Sequence, residues 1–325
     1  MARRAAWTGD LQGLSQQYQR TKAFFWLSLS VFGCFLSACS DTEIAQKAVR
    51  TEQGTQPQIA IPEEVPKPQP LPVPTQASKA RDLGDFKLVY ASVEKPEYQN
   101  LEQVFKTSGQ IDSLVAGLNK TLALPTDITI RMTDGSNCSK SGTHYRLSQK
   151  EIVLCYQDAS RYAQEFSKHL KSEAEIATAV LDVSSWDLLH ETGHALISVL
   201  QLPITGREED VADEIATLKL IEAGNGWDQA AMNAAKEFAY TAQQQSSTKE
   251  LWDVHALDQQ RSYNILCFVY GSNPKKHASL VQKGTLPEAR ANTCVDEYAQ
   301  KTASWNTLLS AYLKNQARPI TTPKS

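Results

Sequence analysis

The stretch Trp186-Asp187-Leu188-Leu189-His190-Glu191-Thr192-Gly193-His194-Ala195-Leu196-Ile197-Ser198-Val199-Leu200 sets an H-E-x-x-H string inside an apolar helical pattern. On a helix the two histidines lie four residues apart, so both imidazoles project from one face a single turn apart. That spacing lets two ring nitrogens reach one zinc ion at about 2.0–2.1 Å. Glu191, the next residue along, can reach a water on the metal without being a ligand. There it can act as general base, taking the water's proton during attack on a carbonyl and passing it to the leaving amine. The plainer account is two surface histidines bracketing a glutamate on an amphipathic helix. Apolar residues close on both sides of the motif weigh against it.

A zinc site needs a third protein ligand. The extended metzincin pattern would put a histidine at position 200, which is Leu200, so that pattern is excluded. After a break at Leu202-Pro203 the chain runs Glu208-Glu209-Asp210-Val211-Ala212-Asp213 into a new helix. This is an E-x-x-A-D string whose two carboxylates are one helical turn apart. Favourable charge at a helix N-terminus would by itself account for Glu208, Glu209 and Asp210, but not for Asp213. The string resembles that of the glutamate zincins, notably the membrane endopeptidases that process prenylated proteins. The resemblance implies Glu209 as third ligand, with Asp213 supporting a ligand histidine from behind; Glu208 stands as the alternative ligand.

Hydrolysis at a metal creates an oxyanion that needs a donor beyond the metal, commonly His, Tyr or Arg. Residues 253–264 concentrate such groups. His255, oriented by Asp253, is the first candidate for this catalytic role, with Arg261 and Tyr263 behind it. A capped surface helix with structural hydrogen bonds accounts for the same stretch equally well. His144, His169 and His277 have no metal spacing and read as ordinary polar residues.

Outward from the motif, the pattern is a small sheet followed by many helices, an α+β order. Residues 86–92 and 127–132 read as strands, and 145–147 and 151–156 as short strands flanked by Ser and Gly. Residues 101–122 read as one or two helices, and nearly everything after 159 has helical periodicity, broken at 202–203, 224–226 and 272–274. Cys138 and Cys155 bracket the expected hairpin, and Cys267 and Cys294 bracket a helix, a turn and the start of another helix. In an exported domain these four are expected to pair. Joining sequence neighbours is one of three connectivities, favoured because each bond closes a local loop.

The export reading comes from the N-terminus. Residues 23–38 form an apolar run preceded by Arg20 and Lys22. It is shorter than the roughly 20 residues a spanning helix needs and ends in small residues, as in a cleavable signal peptide; an uncleaved membrane anchor is the alternative, since the run sits at the short edge of spanning length. Its end, Leu36-Ser37-Ala38-Cys39, resembles the lipobox of bacterial lipoproteins. The resemblance implies lipidation of Cys39, and Ser40 after it resembles outer-membrane retention, facing the periplasm of the cell envelope. The leader before the run is unusually long, which suggests a start codon further downstream. Residues 57–74 are rich in proline and read as an extended spacer of about 55 Å. The expected organisation is thus a signal peptide at 1–38, lipidated Cys39 with a linker at 39–81, one domain at 82–314 and a tail at 315–325. With 325 residues, 41% hydrophobic, and a net charge of -3, the chain is globular in character and carries no electrostatic footprint for nucleic acid.

Taken together, residues 85–312 resemble a bacterial family of metallopeptidases described as a domain of unknown function. The matching features are Ile152-Val153-Leu154-Cys155-Tyr156, the H-E-T-G-H helix, Pro203 with Gly206, Glu209 to Asp213, and His255 with Gln260-Arg261. Cys267 to Gly271, Leu286-Pro287, Arg290, Cys294 and Tyr298 complete them. Gln157 departs from the pattern, where the family has an acidic residue. The resemblance implies a zincin-like fold with a small mixed sheet before a mainly helical metal-binding region. It also implies a zinc-dependent peptidase whose substrate is a peptide or protein. Two rival readings are a catalytically silent zincin-like binding lipoprotein and a metal-dependent amidase of cell-wall peptides. An intact Glu191 favours catalysis, because a structural site has no need of an acid beside its first ligand.

Overall fold

Runs of β-branched and apolar residues build a four-stranded sheet in a computed structural model, which describes residues 79–93, 95–136, 138–244 and 252–314. The expected signal peptide, the Cys39 tether, nearly all of the linker and the 315–325 tail lie outside the described residues. The strands β1 (Phe86–Tyr90), β2 (Ile128–Thr133), β3 (His144–Arg146) and β4 (Glu151–Cys155) are ordered β1-β2-β4-β3. β2 runs parallel to both β1 and β4, while β3 and β4 form an antiparallel hairpin. The sheet is therefore mixed, with β3 at one edge. β4 is buried along its whole length. Ile152 and Leu154 enter the main core on one face, and Val153 packs with Cys138 and Cys155 on the other. An interior strand covered on both faces reads as a continuous apolar run, as this one does.

Two helices, α1 (Gln99–Ser108) and α2 (Gln110–Thr121), connect β1 to β2. Gly109 separates them at φ 60°, a left-handed conformation that glycine adopts without steric cost. A short turn of helix, α3 (Cys138–Ser141), precedes the hairpin, and α4 (Tyr156–Phe166) leaves it. The helical region then follows as α5 (Glu173–Leu200), α6 (Glu208–Ala223), α7 (Asp228–Gln244), α8 (Asp258–Ser272), α9 (Ser279–Gln282) and α10 (Glu288–Leu309). The breaks between α5, α6, α7 and α8's end fall where Pro203, Gly224 to Gly226 and Pro274 interrupt the periodicity. Two strands are shorter than the pattern suggests: β1 stops at Tyr90, and Tyr156 already belongs to α4. The hairpin strand begins at His144 and leaves Leu147 exposed.

α5, at 28 residues, is the spine. It is apolar nearly all round, the mark of a buried helix, and α4, α6, α7 and β4 pack against it. Gly193 sets its approach to α6. A Cβ there would come 2.7 Å from Ile215 Cγ2 and 3.0 Å from the Ala212 Cα, so only glycine lets the two helices lie this close. One turn or two away, Trp186 Nε1 donates to Thr217 Oγ1 at 3.1 Å and pins the same pair of helices. Disulfides join Cys138 to Cys155 and Cys267 to Cys294, the sequence-neighbour pairing. The second clamps α8 to α10, where a Cβ on Gly271 would sit 2.1 Å from the Cys294 carbonyl oxygen. No described helix is long and apolar enough to cross a membrane.

Candidate metal centre

The close crossing of α5 and α6 carries the first turn of α6 onto the histidine face of α5. Glu209 Oε2 lies 3.2 Å from His190 Nε2 and 3.4 Å from His194 Nε2. The two Nε2 atoms are 3.2 Å from each other. From the segment before α8, His255 brings its Nε2 to 2.9 Å from the same carboxylate oxygen. His190, Glu209 and His255 form a group whose donor atoms could hold a metal ion, and His194 Nε2 stands within 3.4 Å of two of its members. Glu209 Oε2 is buried and faces three imidazole nitrogens, yet it accepts no hydrogen bond of regular geometry. Three imidazole nitrogens converging on one buried carboxylate oxygen are a donor set that a cation between them could gather.

The far sides of the rings are held by carboxylates. His190 Nδ1 is 2.8 Å from Asp213 Oδ1, a contact too bent for a regular hydrogen bond. His194 Nδ1 is 2.7 Å from Glu208 Oε1. Glu208, the alternative ligand in the sequence reading, therefore meets the back of a ring and not the cluster of donors. Asp210 turns away to Arg207. The His190 ring stacks on Trp186 with centroids 5.3 Å apart, which fixes its plane.

Charge and burial oppose each other at this centre. Burial disfavours the charged form of His190, but Asp213 and Glu209 outweigh it and hold the imidazole up at about 10. Burial likewise pulls His194 down, and Glu209 and Glu208 more than reverse it. His255 is raised, chiefly by Glu209. Burial pushes Glu209 up, but the three imidazoles hold it far below the usual carboxylate range. Glu191, at 7% exposure, is raised by burial and has no hydrogen-bond or ion-pair partner among the described residues.

The three candidates for oxyanion donor separate. His255 reaches the centre, half-exposed, with its Nδ1 3.2 Å from Asp253 Oδ1. Arg261 lines the cavity beside the centre, but its Nε and Nη2 both donate to Asp213, at 2.8 and 2.7 Å, and its guanidinium lies 4.1 Å from the centre of the Phe238 ring. That contact holds the aspartate behind His190. Tyr263 packs partly buried against the core and does not line the cavity at the centre.

That cavity, of about 190 Å³, opens beside His190, Glu191 and His255. It is walled by groups that motif spacing did not single out, among them Asp187, Tyr162, Arg161 and Glu237. Tyr162 donates to Asp187 Oδ2 at 2.7 Å, and Arg161 Nη1 to Glu237 Oε1 at 2.6 Å. Asp187 did leave a signal, being a charge within an otherwise apolar run of α5. His144 in β3, which has no metal spacing, still lies close enough to Glu191 to favour its charged form.

A family model described as "Putative metallopeptidase" matches residues 90–309. The match covers more than half of the chain, which belongs to this family. No curated protein and no solved structure matches it.

Proposed function

We propose that the chain is a zinc-dependent peptidase of the bacterial cell envelope, lipid-anchored through Cys39, with a zincin-like arrangement of sheet and helices around His190, His194 and Glu209. One observation carries this reading. A tetrahedral zinc with bonds of about 2.0–2.1 Å needs ligand atoms about 3.3–3.4 Å apart. The three donor separations are 3.2, 3.2 and 3.4 Å. Two imidazoles and one carboxylate are also the donor set of catalytic rather than structural zinc.

When bound there, zinc supplies Lewis acidity, polarising a peptide carbonyl and acidifying a water. The remaining work belongs to the chain. Glu191 sits beside the centre with a carboxylate that burial makes more basic, so it can accept the proton of the attacking water and return it to the leaving amine. His255 Nε2, 2.9 Å from Glu209 Oε2, would stand beside the metal as a donor to the oxygen that gains charge. Asp213, locked by Arg261, and Glu208 hold the Nδ1 sides of His190 and His194, fixing which nitrogen faces inward. The edge strand β3 runs out of the Gly142-Thr143 wall of the cavity and offers backbone groups to an extended peptide.

The test is metal content and turnover measured together on the parent and Glu191→Gln. The expected outcome is one zinc per chain in both, with turnover of a peptide library reduced roughly 10²–10⁴-fold in the variant. Unchanged turnover would remove Glu191 from the mechanism. Zinc held by both proteins with cleavage by neither would leave a binding protein in place of an enzyme.

A further inference from the structure

The cavity next to Glu191 has a chemistry of its own. Four carboxylates line it: Asp158, Asp187, Glu191 and Glu237. Two guanidiniums face them, and the imidazoles of His190 and His255 line the side of the metal centre. Arg261 is already matched by Asp213, which lies outside the lining, and Arg161 is matched by Glu237 at 2.6 Å, with Asp158 only at the 4.0 Å limit of contact. Asp158 and Asp187 accept one hydrogen bond each, from the Thr143 backbone and the Tyr162 hydroxyl. Neither donor brings a positive charge. Glu191, more than nine-tenths buried, points into the same space with no partner among the described residues. Away from the imidazoles, Asp158 and Asp187 thus face the space with no cation among the described residues nearer than the 4.0 Å contact of Arg161 with Asp158, in surroundings where unpaired charge is costly.

Its size and position narrow what completes it. At about 190 Å³ it falls short of the roughly 300–1,000 Å³ of sites that take whole small molecules, and suits one side chain or a chain end. Asp187 and Glu191 are four residues apart on α5, hence on one face and about 6 Å apart along the axis. A group bound at Asp187 would thus be within one residue of the bond exposed to Glu191. The walls between them include the rings of Trp186 and Tyr162, apolar enough for a methylene stem.

Resting on the peptidase reading, we propose that this cavity is the specificity subsite and that it takes a cationic group of the substrate. Asp187 and Asp158 bind an ammonium or guanidinium adjoining the cleaved bond. A lysine or arginine side chain and a free peptide amino terminus share this chemistry.

The test uses the full-length, zinc-loaded protein and three sets of otherwise identical peptides. One set is blocked at both ends and carries a single Lys or Arg. The second is blocked with norleucine or citrulline at that position, and the third has a free amino terminus and neutral side chains. Cleavage is followed as kcat/KM and binding by calorimetry. A cationic peptide should be favoured over its neutral partner at least tenfold, and the set that shows the preference says whether the side chain or the terminus is bound. In Asp187→Asn, which keeps an acceptor for Tyr162, the ratio should fall towards one; Asp158→Asn is the second variant should the first not fold. Cleavage without charge preference, or a preference that survives both variants, overturns the subsite while leaving the peptidase standing. Preferential binding of cationic peptides without cleavage, lost in the variants, keeps the subsite and removes the peptidase. If neither binding nor cleavage distinguishes the sets, the subsite is overturned.

Discussion

At the residue scale, Asp187 shows most clearly how the site departs from ordinary helix chemistry. It is a carboxyl in an apolar helix, and burial raises its pKa to about 7, with Tyr162 as its hydrogen-bond donor working the other way. The sign of the linkage follows. An acid whose folded-state pKa lies above its unfolded value leaves stability intact below about pH 4 and erodes it as the pH rises towards 7. Asp187→Asn should therefore match the parent in stability near pH 4 and exceed it above pH 7 by about 2–4 kcal/mol, read from urea melts across that range. Equal stability at both ends would mean that the carboxylate ionises at no cost, and that the cavity is wetter than its walls suggest. Asp187, like Arg261, shows what spacing conveys and what it does not. His190, Glu191, His194, Glu209 and Asp213 stand at intervals fixed by helix geometry, so local sequence carries their relation. The contact of Arg261 with Asp213 spans 48 positions in the chain and depends on how α8 docks. A pattern of charges before Cys267 could nominate Arg261 for the site but not assign it to the aspartate rather than the substrate.

At the scale of elements, the centre depends on how closely α6 crosses α5. The sequence shows the two helices and the break between them, yet the residue that decides their separation is Gly193, inside the motif and silent in any reading of ligands. Gly193→Ala would place a methyl against the branch of Ile215 and the backbone of Ala212, neither of which can rotate away. Overpacking of this kind costs about 1–3 kcal/mol, and the shift of α6 should move Glu209 away from the histidines. The expected outcome is a lower denaturation midpoint together with zinc affinity weakened at least tenfold. Normal affinity with lowered stability would show that α6 can be displaced without carrying the carboxylate. The sheet was legible for a different reason. Apolar runs bounded by Gly and Ser mark its strands, but alternation cannot say that β2 lies between β1 and β4, because register and order are set by partners distant in sequence.

For the whole molecule, the α+β order and both disulfides follow from patterns that the chain carries openly, while the cavity belongs to the assembled fold alone. Global stability should carry the imprint of buried charge pairs. Burial pushes Asp228 up, but His277 and Lys276 outweigh it and hold the carboxyl at about 2. A depressed acid gives stability that is present above about pH 4 and lost as the pH falls towards 2, so Asp228→Asn should cost about 2 kcal/mol at neutral pH and flatten the acid limb of the stability curve. A steep acid limb persisting in the variant would assign it to other carboxylates. The most direct measurement of the central claim is an anomalous-scattering map at the zinc edge from crystals of the zinc-loaded protein. The account predicts a single strong peak about 2.0–2.2 Å from His190 Nε2, His194 Nε2 and a Glu209 oxygen. A peak held by other residues, or none with zinc in excess, would contradict it.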